Sequence, residues 1–181
     1  MLHLKYHLTE EEYLDYNYYT AWAAPDRKQY RINYYLRVFI LYVAVAGLYI
    51  FINRDHGFWI DLSVFGAVAI IYFSLVPMLI KRSIHKKARQ MVAMPENKHI
   101  LDECEVILMD TGITDKDKET ESRYKWDAIV KKGETSYCYF LYTNSYHAIV
   151  IPKRTVTTAD DKNELNRLLN THLPLSSEFP G

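Results

Sequence analysis

The sequence predicts a membrane α+β fold: a two-helix transmembrane hairpin, an antiparallel sheet bent into a split barrel, and a C-terminal helix capping that sheet. Three observations carry this expectation. Between residues 38 and 80, two apolar runs, VFILYVAVAGLYIFI and FWIDLSVFGAVAIIYFSLVPMLI, flank the polar stretch NRDHG. From residue 97 the rhythm changes to short strand-like segments punctuated by turn residues. Residues 159–171 then place Leu165, Leu168 and Leu169 on one helical face behind a Thr158 cap. The chain-wide mean hydropathy of −0.21 averages these unlike parts and hides the apolar middle.

Residues 2–8 alternate strictly, with Leu2, Leu4, Tyr6 and Leu8 on one face and His3, Lys5 and His7 on the other. That is the period of a half-buried strand. A lone strand is unstable in water, so it needs a sheet elsewhere. Thr9 and Glu12 form a capping-box pattern, with Leu8 and Tyr13 placed as a hydrophobic staple. The helix they start runs to about Ala24, where Pro25 interrupts it. Its face of Tyr13, Leu14, Tyr18, Ala21 and Trp22 suits either a membrane surface or packing on the polar half of the chain.

Arg27, Lys28, Arg31 and Arg37 beside Tyr30, Tyr34 and Tyr35 read as an interfacial belt before the first span. Residues 34–52 and 58–80 are the two expected spans, of about 28 and 35 Å at 1.5 Å per residue. Trp59 belongs to the belt at the turn side. Lys81, Arg82, Lys86, Lys87 and Arg89 follow the second span, whereas the turn holds only Arg54. The excess of positive charge puts both termini in the cytoplasm and the turn outside. Asp61 lies one turn inside the second span, as either an intramembrane ion site or a solvated helix-start carboxylate near Arg54. Small residues (Ala44, Ala46 and Gly47; Ser63, Gly66, Ala67 and Ala69) permit close helix contact, within the hairpin or in a homo-oligomer. Residues 81–94 extend the second helix, and Pro95 stops it.

Strands are expected at residues 104–109, 113–118, 123–126, 128–132, 137–142 and 146–151, with turns at Asp110-Thr111-Gly112, Gly133-Glu134 and Thr143-Asn144-Ser145. The stray N-terminal strand is expected to join this sheet as its edge, because topology places both on one side. The expected divisions are therefore 1–33 (N-terminal strand and helix, packing on the later domain), 34–80 (hairpin), 81–95 (basic extension), 96–173 (sheet domain) and 174–181 (tail).

The start HLKYHLTEEEYLDYNYY, the paired spans, DTGI, the tryptophan of YKWDAIVKK, the segment YCYFLYTNSYHAIVIPKR and the final helix together resemble the YcxB-like family of small bacterial membrane proteins. Ile149–Arg154, reading IVIPKR, and Trp126 with Ile129 are the more specific parts. The resemblance implies a pleckstrin-homology-like C-terminal domain and a bacterial inner-membrane location. It implies no reaction.

No catalytic constellation stands out, and an enzyme is not expected. No metal or cofactor is expected either. His3 and His7 fall on a strand, and Cys104 and Cys138 have no CxxC partner. There are only 6 glycines and no phosphate-binding loop among them. His147 falls on the strand expected beside that of Cys138, a chance neighbour rather than a dyad. With 22 cations balancing 22 anions, nucleic acid is not an expected partner. Membrane lipid is expected, as is a protein partner. Tyr137 and Tyr139, on a strand with aromatics on both faces, and Lys153 and Arg154 mark the candidate partner surface. Lys153 and Arg154 could also join Lys131 and Lys132 in a basic patch, with ordinary solvated charge the simpler account. The expected function is a non-enzymatic interaction or regulatory module at the membrane. The alternative is an oligomeric transport or channel subunit with Asp61 in its path.

Overall fold

The computed structural model describes residues 1–53 and 57–173. The turn residues 54–56 and the expected tail 174–181 lie outside the described residues. The chain divides into two units, Met1–Ala24 with Ile84–Gly181, and Pro25–Ser83.

The second unit is the hairpin. A 3₁₀ turn, Pro25–Arg27, leads into α2 (Lys28–Ile52), and α3 (Phe58–Ala93) follows. Both helices are long and apolar enough to cross a membrane, with mean hydropathies of 2.1 and 2.2 over their most apolar windows. They pack through aromatic rings: Tyr42 and Tyr49 on Phe65, and Tyr35 and Phe39 on Phe73. The Tyr42 hydroxyl donates to the Phe65 carbonyl at 2.5 Å. The remaining surface is Leu, Ile, Val and Phe, including Leu41 and Ile70 at 67 and 71 % exposure. Such a surface is stable only against lipid or another apolar partner. The helix of α3 runs unbroken through Pro77 to Ala93. The basic extension is thus part of one helix, and the unit boundary falls inside it, after Ser83.

The first unit holds two antiparallel sheets. β1 (Leu2–His7), β2 (Glu103–Met109), β3 (Gly112–Lys116) and β4 (Glu121–Tyr124) form a four-stranded sheet in that order. β5 (Lys131–Glu134), β6 (Cys138–Tyr142) and β7 (Ala148–Pro152) form a three-stranded one. β1 pairs with β2 as an edge strand, Leu4 opposite Val106 and Tyr6 opposite Cys104. Leu2, Leu4 and Tyr6 face the core, while His3, Lys5 and His7 face out and pair with Glu105 and Glu103. The Tyr6 hydroxyl reaches the Val150 carbonyl and ties the first sheet to the second. α4 (Ala159–His172) is capped by Thr158 and lays Leu165, Leu168 and Leu169 over the core shared by the sheets. Trp126 lies in this core, stacked on His172, with its indole N–H donating to the Met109 carbonyl at 2.8 Å.

α1 (Glu10–Tyr18) begins with the expected capping box, then widens into a π-helical turn, Tyr19–Ala23, before Pro25. The π-turn rotates the expected face: Thr20 and Trp22 are buried and Ala21 is exposed. Two other expectations change. Residues Pro95–Leu101 form a 3₁₀ helix in place of extended chain. Gly133 lies buried inside β5 rather than in a turn, and the turn falls at residues 135–137. The Tyr19 ring occupies the space over this glycine: a Cβ there would stand 2.6 Å from Tyr19 Cε1.

Candidate functional site

Of the residues singled out by sequence, Arg154 lies where the N-terminal helix meets the second sheet. Along β6 the aromatics alternate. Leu141 and part of Tyr139 face the main core, whereas Cys138, Phe140 and Tyr142 face the other way. That second face is not open. Tyr16 and Tyr19 lie on Phe140, with ring centroids 5.7 and 5.1 Å away, and Leu8 packs beside them. The opposite side of α1, Tyr13 and Leu14, packs on Ala88, with Val92, Ile100 and Leu101 around it. The helix is therefore a layer between the second sheet and the last turns of α3, and its two aromatic sides have separate partners.

Polar contacts fix this layer. Thr9 caps the Glu12 amide at 3.2 Å, and Glu12 accepts from the Thr9 amide at 2.9 Å. The same carboxylate accepts two hydrogen bonds from Arg154, at 2.6 and 3.1 Å, and Arg154 also donates to the His7 carbonyl at 2.5 Å. Burial alone would raise the pKa of Glu12. The Arg154 guanidinium and the Thr9 amide outweigh it, and the carboxyl titrates below its ordinary value. Asp15 accepts from the Thr135 hydroxyl at 2.6 Å, Tyr16 donates to the Tyr146 carbonyl at 2.5 Å, and the Thr20 and Tyr142 hydroxyls share a bond of 2.7 Å. These contacts reach the β5–β6 turn, the β6–β7 turn and β6 itself, so one short helix holds the whole second sheet.

This changes the candidate partner surface. Arg154 is committed to Glu12, and its charge serves the helix start. Tyr139 is half-buried beneath Lys153, whose ammonium lies 4.9 Å from the ring centroid and bonds Glu134 at 2.6 Å. Lys131 lies over the Tyr142 ring at 4.3 Å. Lys131, Lys153 and Arg154 therefore each have a different partner. Tyr137 is 63 % exposed on the β5–β6 turn, and Arg154, though paired with Glu12, is also exposed.

Cys138 and His147 sit at opposite ends of the β6–β7 pair, since Cys138 faces Pro152 and Tyr142 faces Ala148. Burial pushes the Cys104 thiol up to about 11 and the Cys138 thiol up to about 12. Both directions oppose thiolate formation. Asp115 lies on β3 between Val106 and Ser122; burial raises its pKa, and His147 offsets part of that rise. Among the described residues, no three His, Cys, Asp or Glu side chains group as metal ligands.

In the hairpin unit, Lys28, Arg37, Lys81 and Arg82 are exposed, Arg27 and Arg31 half-buried, and Trp59 is 75 % exposed near the other end. Asp61 is half-buried at the start of α3, and its Oδ2 has no hydrogen-bond partner among the described residues. In the first unit, Lys86 and Lys87 are exposed and Arg89 bonds Glu10 at 2.7 Å.

Sequence reasoning missed the Glu12–Arg154 pair, which joins residues 142 positions apart. It also missed Ala88, whose signal was its spacing of four residues from Val92 inside a basic stretch.

No curated protein and no solved structure matches the chain. Residues 108–169, from the end of β2 through most of α4, match the family model described as YcxB-like protein, so this segment is similar to that family.

Proposed function

We propose that this protein is a membrane-anchored, non-enzymatic interaction or regulatory module. A two-span hairpin holds a pleckstrin-homology-like domain at the cytosolic face of the bacterial inner membrane, where it recruits or regulates another protein. One observation carries the reading. The segments before and after the hairpin, β1–α1 and β2–α4, share one hydrogen-bonded sheet and one core. A single folded unit cannot straddle a bilayer, so two crossings must return the chain to the side it left. The cations at residues 27–37 and 81–89 favour the cytosol as that side. The four-plus-three strand meander closed by a C-terminal helix supports the pleckstrin-like assignment. The raised thiols support a non-enzymatic role, because neither cysteine is set up as a nucleophile.

A photo-crosslinking residue at Tyr137, read in native membranes, tests the interaction role. The expected result is one protein adduct that survives detergent wash and is absent from a probe at buried Leu168. Adducts no different from those of the buried probe would overturn it. Protease added to inverted and right-side-out vesicles tests the topology: the domain should be cut only in inverted ones.

A further inference from the structure

The chain is neutral overall, but one end of the hairpin is not. The ring contact of Tyr35 with Phe73, centroids 6.2 Å apart, fixes the antiparallel alignment of α2 and α3. Lys28 lies seven residues before Tyr35, and Lys81 eight after Phe73. At 1.5 Å per residue each is about 11–12 Å from that contact in the same direction. Arg27, Lys28, Arg31, Lys81 and Arg82 therefore gather at one end of the pair, against the single carboxylate of Asp26, and Arg37 lies about 3 Å past the ring contact toward the other end. The rest of α2 carries no acid, and α3 carries only Asp61, at the other end.

The depth of these cations is unequal. By the same alignment, Arg37 is level with Ile71, inside an apolar stretch of α3 that runs from Ser63 to Ile80 with no charge. A guanidinium at that level reaches its counter-ion by extending along the helix toward the phosphate layer. Tyr30, Tyr34 and Tyr35 supply the amphipathic rings of the same layer. Lipid phosphate meets both demands, being anionic and lying at the depth where the apolar surface ends.

We propose that this end of the hairpin binds anionic phospholipid headgroups, with Arg31 and Arg37 of α2 and Lys81 and Arg82 of α3 as the cations that hold them. The proposal rests on the reading that α2 and α3 cross a bilayer. Its occupant is the bilayer's own anionic lipid, recognised by charge, with no requirement for a particular headgroup alcohol.

The test uses the full chain in nanodiscs of equal parts phosphatidylglycerol and phosphatidylethanolamine, followed by detergent release and native mass spectrometry of the lipids retained. Nanodiscs have no preferred side, so a variant that would alter insertion in cells is still assayed. Wild-type protein should retain phosphatidylglycerol over phosphatidylethanolamine by at least ten-fold, at roughly five-fold per cation for the first few charges. The variant R31Q/R37Q/K81Q/R82Q should retain both lipids equally while keeping its helical circular dichroism. Equal retention by wild-type protein, or an undiminished preference in the variant, overturns the proposal. Incorporation into discs is scored separately by size exclusion. Protein that incorporates without lipid preference overturns the headgroup site alone, and protein that fails to incorporate overturns the spanning reading with it.

Discussion

Truncating the inner face of β1 should destabilise a sheet that lies, in sequence, beyond both apolar helices. Leu2, Leu4 and Tyr6 are 3, 4 and 5 % exposed. At about 2 kcal/mol for each buried side chain, the strand contributes about 6 kcal/mol before its ladder to β2 is counted. That rivals the whole net stability of a typical domain, about 5–15 kcal/mol. Deleting residues 1–8 should therefore unfold the domain. Leu4→Ala is the graded version. It removes three carbons opposite Val106 and leaves a cavity, at a cost of about 3 kcal/mol. With a urea dependence of about 2 kcal/mol per molar, the midpoint should fall by about 1.5 M. The assay is pulse proteolysis of the full chain in detergent micelles across a urea series, following the fragment that contains β2 to α4. Lys5→Ala, on the solvent face with its side chain 59 % exposed, is the control and should change stability by less than about 0.5 kcal/mol. A Leu4→Ala midpoint matching that control, or undiminished protease resistance after deletion of residues 1–8, would refute the shared core.

Three further outcomes follow from the same contacts. Glu12 titrates below its ordinary value of 4.5 in the folded chain, so its stabilisation is complete above the unfolded value and is lost as pH falls through the lowered one. Glu12→Gln should cost about 1 kcal/mol at pH 7 and flatten the loss of stability below pH 4.5, read from urea midpoints across pH; an unchanged acid limb would show that Arg154 is not its partner. Cys104 and Cys138, pushed up to about 11 and 12 by burial, should alkylate with iodoacetamide at pH 8 at least roughly 100-fold more slowly than a free thiol, and readily in urea; stoichiometric native labelling would contradict the burial. Gly133→Ala should cost about 1–3 kcal/mol through the Tyr19 ring, and Tyr19→Ala should recover part of it; additive costs in the double mutant would disprove the contact.

The N-terminal strand was legible because its alternation is strict and a lone strand must find a sheet. The capping box was legible because Thr9 and Glu12 are local. What escaped depends on distant partners. Gly133 resembles a turn glycine in sequence, but here the missing Cβ makes room for Tyr19, 114 positions earlier. The two-faced aromatics of β6 left open whether one side was free, and the answer lies in a third layer that only the fold supplies. The 3₁₀ helix after Met94 is too short to impose a period. Arg154 looked like surface charge because nothing adjacent to it indicates Glu12.

A sheet whose edge strand precedes an apolar hairpin and whose remaining strands follow it has a closure problem. Leu4 and Val106 are separated by about a hundred residues, and closing a flexible loop of that length costs about 4 kcal/mol. The hairpin reduces that cost. Its helices are antiparallel, in contact through the rings of Tyr35, Phe39, Tyr42 and Tyr49, so residues 25 and 83 leave it at the same end. Once α2 and α3 have packed, the two parts of the domain are tethered as if by a short linker. Until then β2 presents an unpaired edge, which is the form most open to wrong pairing. Afterwards the exposed edge is β1, short and lined with His3, Lys5 and His7, which resists further strand addition. The hairpin is therefore a folding element, and packing inside the apolar unit lowers the cost of closing the domain.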